Sequence, residues 1–289
     1  MKESIPGMSD EKKKLLLVDG HSILNRAFYG MPDLTNAKGL HTGAVYGFLN
    51  ILFSQLDELK PDYLTVAFDV HAPTFRHEKY ELYKANRHGM PEELAMQMPV
   101  MKEVLAAMNI PVYACQGWEA DDVIGTVGRI CSNNGWECVV VTGDRDSLQL
   151  IDQNVHVKLV ISKPGQTTAT LYTEEKFREE YGFDPIKMID MKALMGDHSD
   201  NIPGVPGIGE VSALKLIAAF GSVDGIYDAL VTQTLEAQIP HTLVRTLDVR
   251  NSRPCAWNVY PISLPAVDQG MPLWLPPYPC AEENVNNLL

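Results

Sequence analysis

Five carboxylates bracket residues 117–146, GWEADDVIGTVGRICSNNGWECVVVTGDRD: Glu119, Asp121 and Asp122 near one end, Asp144 and Asp146 at the other. Between them lie a helical apolar stretch and the run Cys138-Val139-Val140-Val141, which reads as a buried strand. A helix followed by a strand turns the chain back, so the second acidic cluster returns beside the first. Facing carboxylates cannot all stay ionised unless cations sit among them. Hard divalent cations such as magnesium take oxygen ligands and keep waters that a phosphate can replace. The competing account is two N-cap acids and a turn.

The same pattern recurs. Lys14-Leu15-Leu16-Leu17-Val18-Asp19-Gly20 and Asp62-Tyr63-Leu64-Thr65-Val66-Ala67-Phe68-Asp69 are short apolar runs ending in Asp, as is Cys138 to Asp144. Such runs fit buried parallel strands. Glu119 follows a fourth run, Ile110 to Cys115. Ligands of open α/β sheets bind outside the carboxyl ends of the strands. Three strand-terminal Asp residues therefore favour a metal–carboxylate site over turn residues.

Thr42 to Leu59 reads as an amphipathic helix with Val45, Phe48, Leu49, Leu52 and Leu56 on one face and Thr42 as N-cap. In FRHEKYELYKANRH, residues 75–88, Arg76, Tyr80, Tyr83, Lys84 and Arg87 recur at spacings of three and four. On a helix they form one stripe of cations and rings, suited to phosphates and bases of a single strand. A solvated face balanced by Glu78 and Glu81 is the plainer alternative. Pro91 opens a further helix with an apolar methionine-rich face, which Pro99 is expected to kink. Short strands are expected over 155–172 and a charged helix over 174–181.

Asp197 and Asp200 then lie three apart, just before Pro203-Gly204-Val205-Pro206-Gly207-Ile208-Gly209 and a helix from about Val211 to Phe220. A glycine turn entering a helix presents backbone N–H groups to an anion without side-chain charge. That matters because the net charge is −13, awkward for binding nucleic acid.

No apolar run approaches the length of a membrane span, and the first fourteen residues hold no apolar signal core. Cysteines 115, 131, 138, 255 and 280 form no CxxC pair, which fits a reducing compartment.

Together these residues resemble the 5′-nuclease domain at the N-terminus of bacterial DNA polymerase I, within the flap endonuclease family. The stretches that carry the likeness are LLLVDG, GAVYGF, VAFD, FRHEKYELYKANR, EADDVIGT, VVVTGDRDSLQL and GDHSDNIPGVPGIG, spanning about Lys14 to Leu230. The resemblance implies an α/β fold: a twisted, mainly parallel sheet flanked by helices (a PIN-like core), a helical arch, and a C-terminal helix–hairpin–helix. By position it implies metal carboxylates at Asp19, Asp69, Glu119, Asp121, Asp122, Asp144, Asp146, Asp197 and Asp200, with Asp122 a candidate for the outer shell. It places arch cations at Arg76, Lys84 and Arg87. Lys84 and Arg87 would neutralise charge at the reacting phosphate. DNA contacts are expected at Tyr80, Tyr83, Lys84, Arg87, Gly204, Gly207 and Gly209. The implied cofactors are two or more Mg2+ ions, replaceable by Mn2+, with K+ at the helix–hairpin–helix.

The expected organisation is a flexible leader over 1–13, a nuclease core over 14–180 with the arch at about 75–108, a DNA-binding region over 181–231, and a tail over 232–289. The tail has no Lys, three Arg and eight Pro, and is expected to be poorly ordered. The family's polymerase region is absent, so polymerisation would belong to a separate chain. The expected protein is a monomeric, cytoplasmic bacterial enzyme that meets DNA at 5′ flaps, nicks or ends and has no membrane contact. Two other readings are a DNA-junction binder without turnover and a metal-dependent phosphatase of small substrates. The full carboxylate set argues against the first, and the basic–aromatic stretch with the glycine turn argues against the second.

Overall fold

The computed structural model describes residues 12–163 and 166–231. Four apolar runs form the parallel strands β1 (Lys14–Asp19), β2 (Tyr63–Ala67), β3 (Val112–Tyr113) and β4 (Glu137–Thr142). They are joined by α1 (Gly20–Gly30), α2 (Gly43–Leu59), α3 (Phe75–Lys79), α4 (Glu92–Ala95), α5 (Gln97–Ala107) and α6 (Ala120–Asn133). A 3-10 turn over Arg145–Leu150 leads to β5 (Val155–Lys163), which is parallel to β4. The antiparallel β6 (Gln166–Tyr172) closes a six-stranded sheet of order β3-β2-β1-β4-β5-β6. The expected short strands over 155–172 are thus two longer antiparallel strands; residues 164–165 between them lie outside the described residues.

Strands buried on both faces need apolar side chains in both directions, and β1 supplies them in Leu15, Leu16, Leu17 and Val18. Leu15, Leu17, Cys138 and Val140 pack on one face against α6; Leu16, Val18, Val139 and Val141 pack on the other against α1, α2 and α5. Parallel register sets Val18 beside Val66 and Val141, so these strands reach one edge together.

The second region follows as α7 (Glu174–Tyr181), α8 (Met188–Met195), the two-residue strands β7 (Gly196–Asp197) and β8 (Ile202–Pro203), α9 (Glu210–Phe220) and α10 (Val223–Val231). Gly196 and Gly204 meet at this hairpin. A Cβ on Gly204 would lie 2.3 Å from the Met195 carbonyl carbon, and one on Gly196 2.3 Å from the Gly204 nitrogen. No described helix is long and apolar enough to cross a membrane.

Several local expectations are corrected. Residues 75–88 are not one helix. α3 ends at Lys79, Tyr80 is extended, and Lys84 is left-handed at φ 55. The backbone beyond α3 is satisfied from elsewhere: Lys84 N–H donates to the Asp200 carbonyl, and Asn201 Nδ2 to that of Leu82. Pro99 does not kink a continuous helix. The break falls at Met96, between α4 and α5, leaving Pro99 in the first turn of α5, where an N–H is not needed. Thr42 precedes α2 without capping it by its side chain. Lys12 and Lys13, assigned to the leader, are tied to the body. The Lys13 carbonyl accepts Glu137 N–H, and its ammonium stands 4.9 Å from the Trp136 ring centre. Residues 1–11 and the tail from 232 lie outside the described residues.

Candidate active site

Each acid is placed by the end of an element. Asp19 ends β1 and caps α1: one oxygen accepts Ser22 N–H at 3.0 Å and the other Thr142 Oγ1–H at 2.7 Å. Asp69, two residues past β2, accepts Ala120 N–H at 2.6 Å, at the start of α6. Glu119 and Asp122 form the capping box of α6. Asp144 lies two residues past β4; its N–H donates to Thr142 Oγ1 and its carboxylate accepts Asp146 N–H. Asp197 and Asp200 come from the β7–β8 hairpin.

Seven of the nine candidate ligands line one cleft of about 220 Å3: Asp19, Asp69, Glu119, Asp121, Asp144, Asp146 and Asp200. Asp197 lines the adjoining hollow, which shares Asp144, Asp146 and Asp200. Asp122 does not join them. It is fully buried, accepts Glu119 N–H, and receives both terminal nitrogens of Arg76 at 2.6 and 2.9 Å. Helix geometry turns Asp122 about 100° from Asp121, away from the cleft.

The cations are arranged differently from the expected stripe. Arg76 lines the same cleft, but it is 3% exposed and its guanidinium is held by Asp122. Tyr83, also 3% exposed, offers no open ring face to a base; its single hydroxyl hydrogen is shared between Glu119 at 2.9 Å and Asp200 at 3.1 Å. Lys84 Nζ lies 2.7 Å from Glu119, and Arg87 bonds Asp200. Tyr80 is half-buried, with its hydroxyl on the Asn201 carbonyl. Gly204 is required by backbone packing, whereas Gly207 faces open space at φ 82 and Gly209 opens α9 with open space before it.

Two residues escaped the sequence reading. Lys192 bridges Asp146 at 2.7 Å and Asp197 at 2.9 Å. Its only sequence signal is a lone cation among the mostly apolar residues of α8, five positions before Asp197. His21 lines the cleft and accepts Asp69 N–H at Nδ1, 3.3 Å away. Its place two residues past a strand-terminal Asp was the available clue.

Electrostatics follow from this crowding. Burial pushes the Asp19 carboxyl up to about 7, with Asp69 and Asp144 adding to it. Burial, then Asp144, Asp19, Asp69 and Glu119, raise Asp121 well above the carboxylate range. Burial and Asp144 raise Asp146 to about 7 despite Lys192. Asp197 moves down: the effect of burial is outweighed by hydrogen bonds from Ser199 and Lys192. Among the described residues no three His, Cys, Asp or Glu side chains converge tightly enough to enclose an ion as they stand. The oxygens of Glu119, Asp146, Asp197 and Asp200 are already partnered by Lys84, Lys192, Arg87 and Tyr83. The donor set is all hard oxygen and short of positive charge at Asp19, Asp121 and Asp144, which suits a hard divalent cation.

Two family models cover this architecture: the 5′-3′ exonuclease N-terminal resolvase-like domain matches residues 14–182, and the 5′-3′ exonuclease C-terminal SAM fold matches 183–250. The chain belongs to the 5′-3′ exonuclease family. It is a 5′-nuclease with the mixed, mostly parallel sheet of that family. Curated relatives include DNA polymerase I of Caldicellulosiruptor bescii, 49% identical over 217 residues, covering 75% of this chain and 26% of the relative. DNA polymerase I of Bacillus subtilis is 46% identical over 220 residues, covering 76% and 25%. The chain thus spans about a quarter of the length of these relatives. Among solved structures, bacteriophage T5 5′-exonuclease with bound zinc aligns at TM-score 0.65 and 24% identity, covering 83% of this chain and 88% of that one. T5 flap endonuclease, in a pseudo-enzyme-product complex with DNA and metal ions, aligns at 0.68 and 21%, covering 96% and 98%. These two likenesses concern the fold.

Proposed function

We propose that this 5′-nuclease hydrolyses DNA phosphodiesters at 5′ ends and 5′-flap junctions, with magnesium held by the carboxylate cleft. The observation that carries this reading is the gathering of acids from separate strand ends and the Asp200 hairpin into one cleft rimmed by Lys84 and Arg87. Asp19, Asp69, Glu119, Asp121, Asp144 and Asp146 would hold the metal, with Asp197 and Asp200 from the hairpin side. A bound divalent cation supplies a water acidified enough to attack and a counter-charge for the leaving oxygen.

The chain's own groups do the positioning. Thr142 Oγ1–H and Ser22 N–H fix both oxygens of Asp19, so that carboxylate keeps one orientation. Lys84 and Arg87, held at the rim by Glu119 and Asp200, are close enough to exchange those carboxylates for the phosphate and to meet charge developing there. Asp122 acts through Arg76 and the Glu119 amide, not as a ligand. Gly207 and Gly209 lead the duplex backbone to the first turn of α9, although Glu210 in that turn opposes an anion.

Manganese in place of magnesium, K+ near the hairpin, removal of RNA primers in replication and repair, a monomeric state and a cytoplasmic setting belong to the same proposal. The test is a labelled 5′-flap duplex incubated with and without magnesium, with products sized. Magnesium-dependent products with a 5′-phosphate and a 3′-hydroxyl are expected. Binding without cleavage would overturn the reading in favour of a junction-binding module.

A further inference from the structure

A cavity of about 550 Å3 lies between α2, the end of α1 and the strands β5 and β6. It shares no lining residue with the acidic cleft or the hollow adjoining it. α2 presents two stripes to it: Gly47, Ile51 and Gln55 are buried, and Asn50, Ser54 and Glu58 are exposed at its mouth. Both stripes repeat every fourth residue, so they run side by side along one face of the helix. Ala27 and Val160 supply the apolar depth. The volume falls within the range of about 300–1,000 Å3 of small-molecule sites.

The polar group at depth is Gln55. It is 4% exposed, and its Oε1 is enclosed without a hydrogen-bond partner. Gln97 shows what a structural glutamine does in this fold. Its Oε1 accepts Ala44 N–H at 2.8 Å, and its Nε2 donates to the Glu93 carbonyl at 2.9 Å. An enclosed acceptor without a donor destabilises the fold, and a methionine would fill the same space without that cost. Packing alone therefore does not account for an amide at position 55.

Charge narrows the ligand. Glu58 is the one charged group among the described residues that line the cavity, and the buried Lys158 holds it at 2.5 Å. No cation among those lining residues faces a phosphate or a carboxylate. The other polar groups, Asn50, Ser54, Gln55, Gln166 and Thr167, are amides and hydroxyls. A fitting ligand is uncharged, has apolar faces and carries an N–H donor for Gln55. A glutamine amide pairs in bidentate fashion with the amino group and adjacent ring nitrogen of adenine.

We propose that this cavity binds a free, uncharged amino-substituted heterocycle of nucleobase type, whose amino N–H donates to Gln55 Oε1. The site is separate from the acidic cleft and uses none of its residues. A base still within a strand would bring phosphates to a mouth whose charged group is Glu58, so the occupant is the free base or nucleoside.

The test is calorimetric titration of the whole protein with adenosine and with inosine, in which a carbonyl replaces the amino group. Adenosine should bind saturably, and inosine about tenfold more weakly or worse. Gln55→Met should lose adenosine binding by a similar factor and unfold at the same or a higher temperature, because it removes the unpaired acceptor. Ser54→Trp changes an exposed position, should fold like the wild type, and should block the mouth; it decides the matter if Gln55→Met does not fold. Oligo-dA should not compete with adenosine, and neither variant should alter 5′-flap cleavage. Absence of saturable adenosine binding, equal affinity for inosine, undiminished adenosine binding in the variants, or effective competition by oligo-dA each overturns the assignment.

Discussion

Arg76 and Asp122 form a bidentate pair at 2.6 and 2.9 Å in which neither partner reaches solvent appreciably. The pair joins α3 to the first turn of α6, so it fixes where Glu119 stands relative to Tyr83 and Lys84. Removing one member leaves an uncompensated buried charge, which typically costs about 3–5 kcal/mol. Arg76→Ala should therefore lower stability to chemical denaturation by roughly that amount. A folded variant of unchanged stability, impaired only in the reacting step, would return Arg76 to the catalytic group.

Lys192 pairs with Asp146 and Asp197, the two carboxylates it would have to yield to a metal under the proposed function. Lys192→Met removes that internal counter-ion at similar length. The variant should bind magnesium more tightly in calorimetry, by several-fold, because two carboxylates lose their resident cation and keep their mutual repulsion. Unchanged or weaker magnesium binding would show that Lys192 organises these acids rather than competing for them.

The sheet was legible in the sequence because buried parallel strands are written as continuous apolar runs, and Asp19, Asp69 and Asp144 mark their ends. α2 and α7 were legible because amphipathic or charged helices carry their own period. Residues 80–88 were not, because their backbone is satisfied by Asp200 and Asn201, more than a hundred positions away, and no local pattern encodes that. For the same reason Arg76 and Tyr83 read as surface groups although both are buried. Asp122 shares a run of acids with Asp121, and only the helix phase separates the one facing Arg76 from the one facing the cleft. Lys192 offered no periodic signal at all.

Asp19 and Asp146 both have carboxyls raised from the ordinary 3.8 to about 7. An acid raised on folding contributes stability that is complete below its unfolded value and lost as pH rises through the folded one. The protein in EDTA should therefore lose stability between about pH 5 and about pH 8 as far as these groups decide it. Magnesium restores the missing positive charge, so its thermal stabilisation should be greater at about pH 8 than at about pH 5.5. A magnesium-induced shift in Tm that is equal at both, or larger at the lower pH, would contradict this assignment of the acids.

Gly204 and Gly207 lie three residues apart in one glycine-rich turn, yet physics assigns them different work. A Cβ on Gly204 would strike the backbone of Met195 and Gly196 at 2.3–2.4 Å, with no flexible side chain to yield. Gly204→Ala must therefore push β7 and β8 apart, moving Asp197 and Asp200 with them, and should lower both stability and cleavage. Gly207 has nothing within 4 Å of its would-be Cβ, but its φ is 82. Gly207→Ala meets only backbone strain, of order 1–2 kcal/mol, and leaves the acids in place. If the turn receives duplex phosphate, Gly207→Ala should weaken binding of substrates with long duplex arms more than of short ones, while cleavage at saturating substrate stays close to the wild type. Gly204→Ala should show the opposite balance: cleavage falls even when substrate saturates. Equal loss of saturated cleavage in both variants would mean that Gly207 also holds the acidic hairpin in place. Full duplex affinity in a folded Gly207→Ala would make the turn a connection between helices and not a DNA contact.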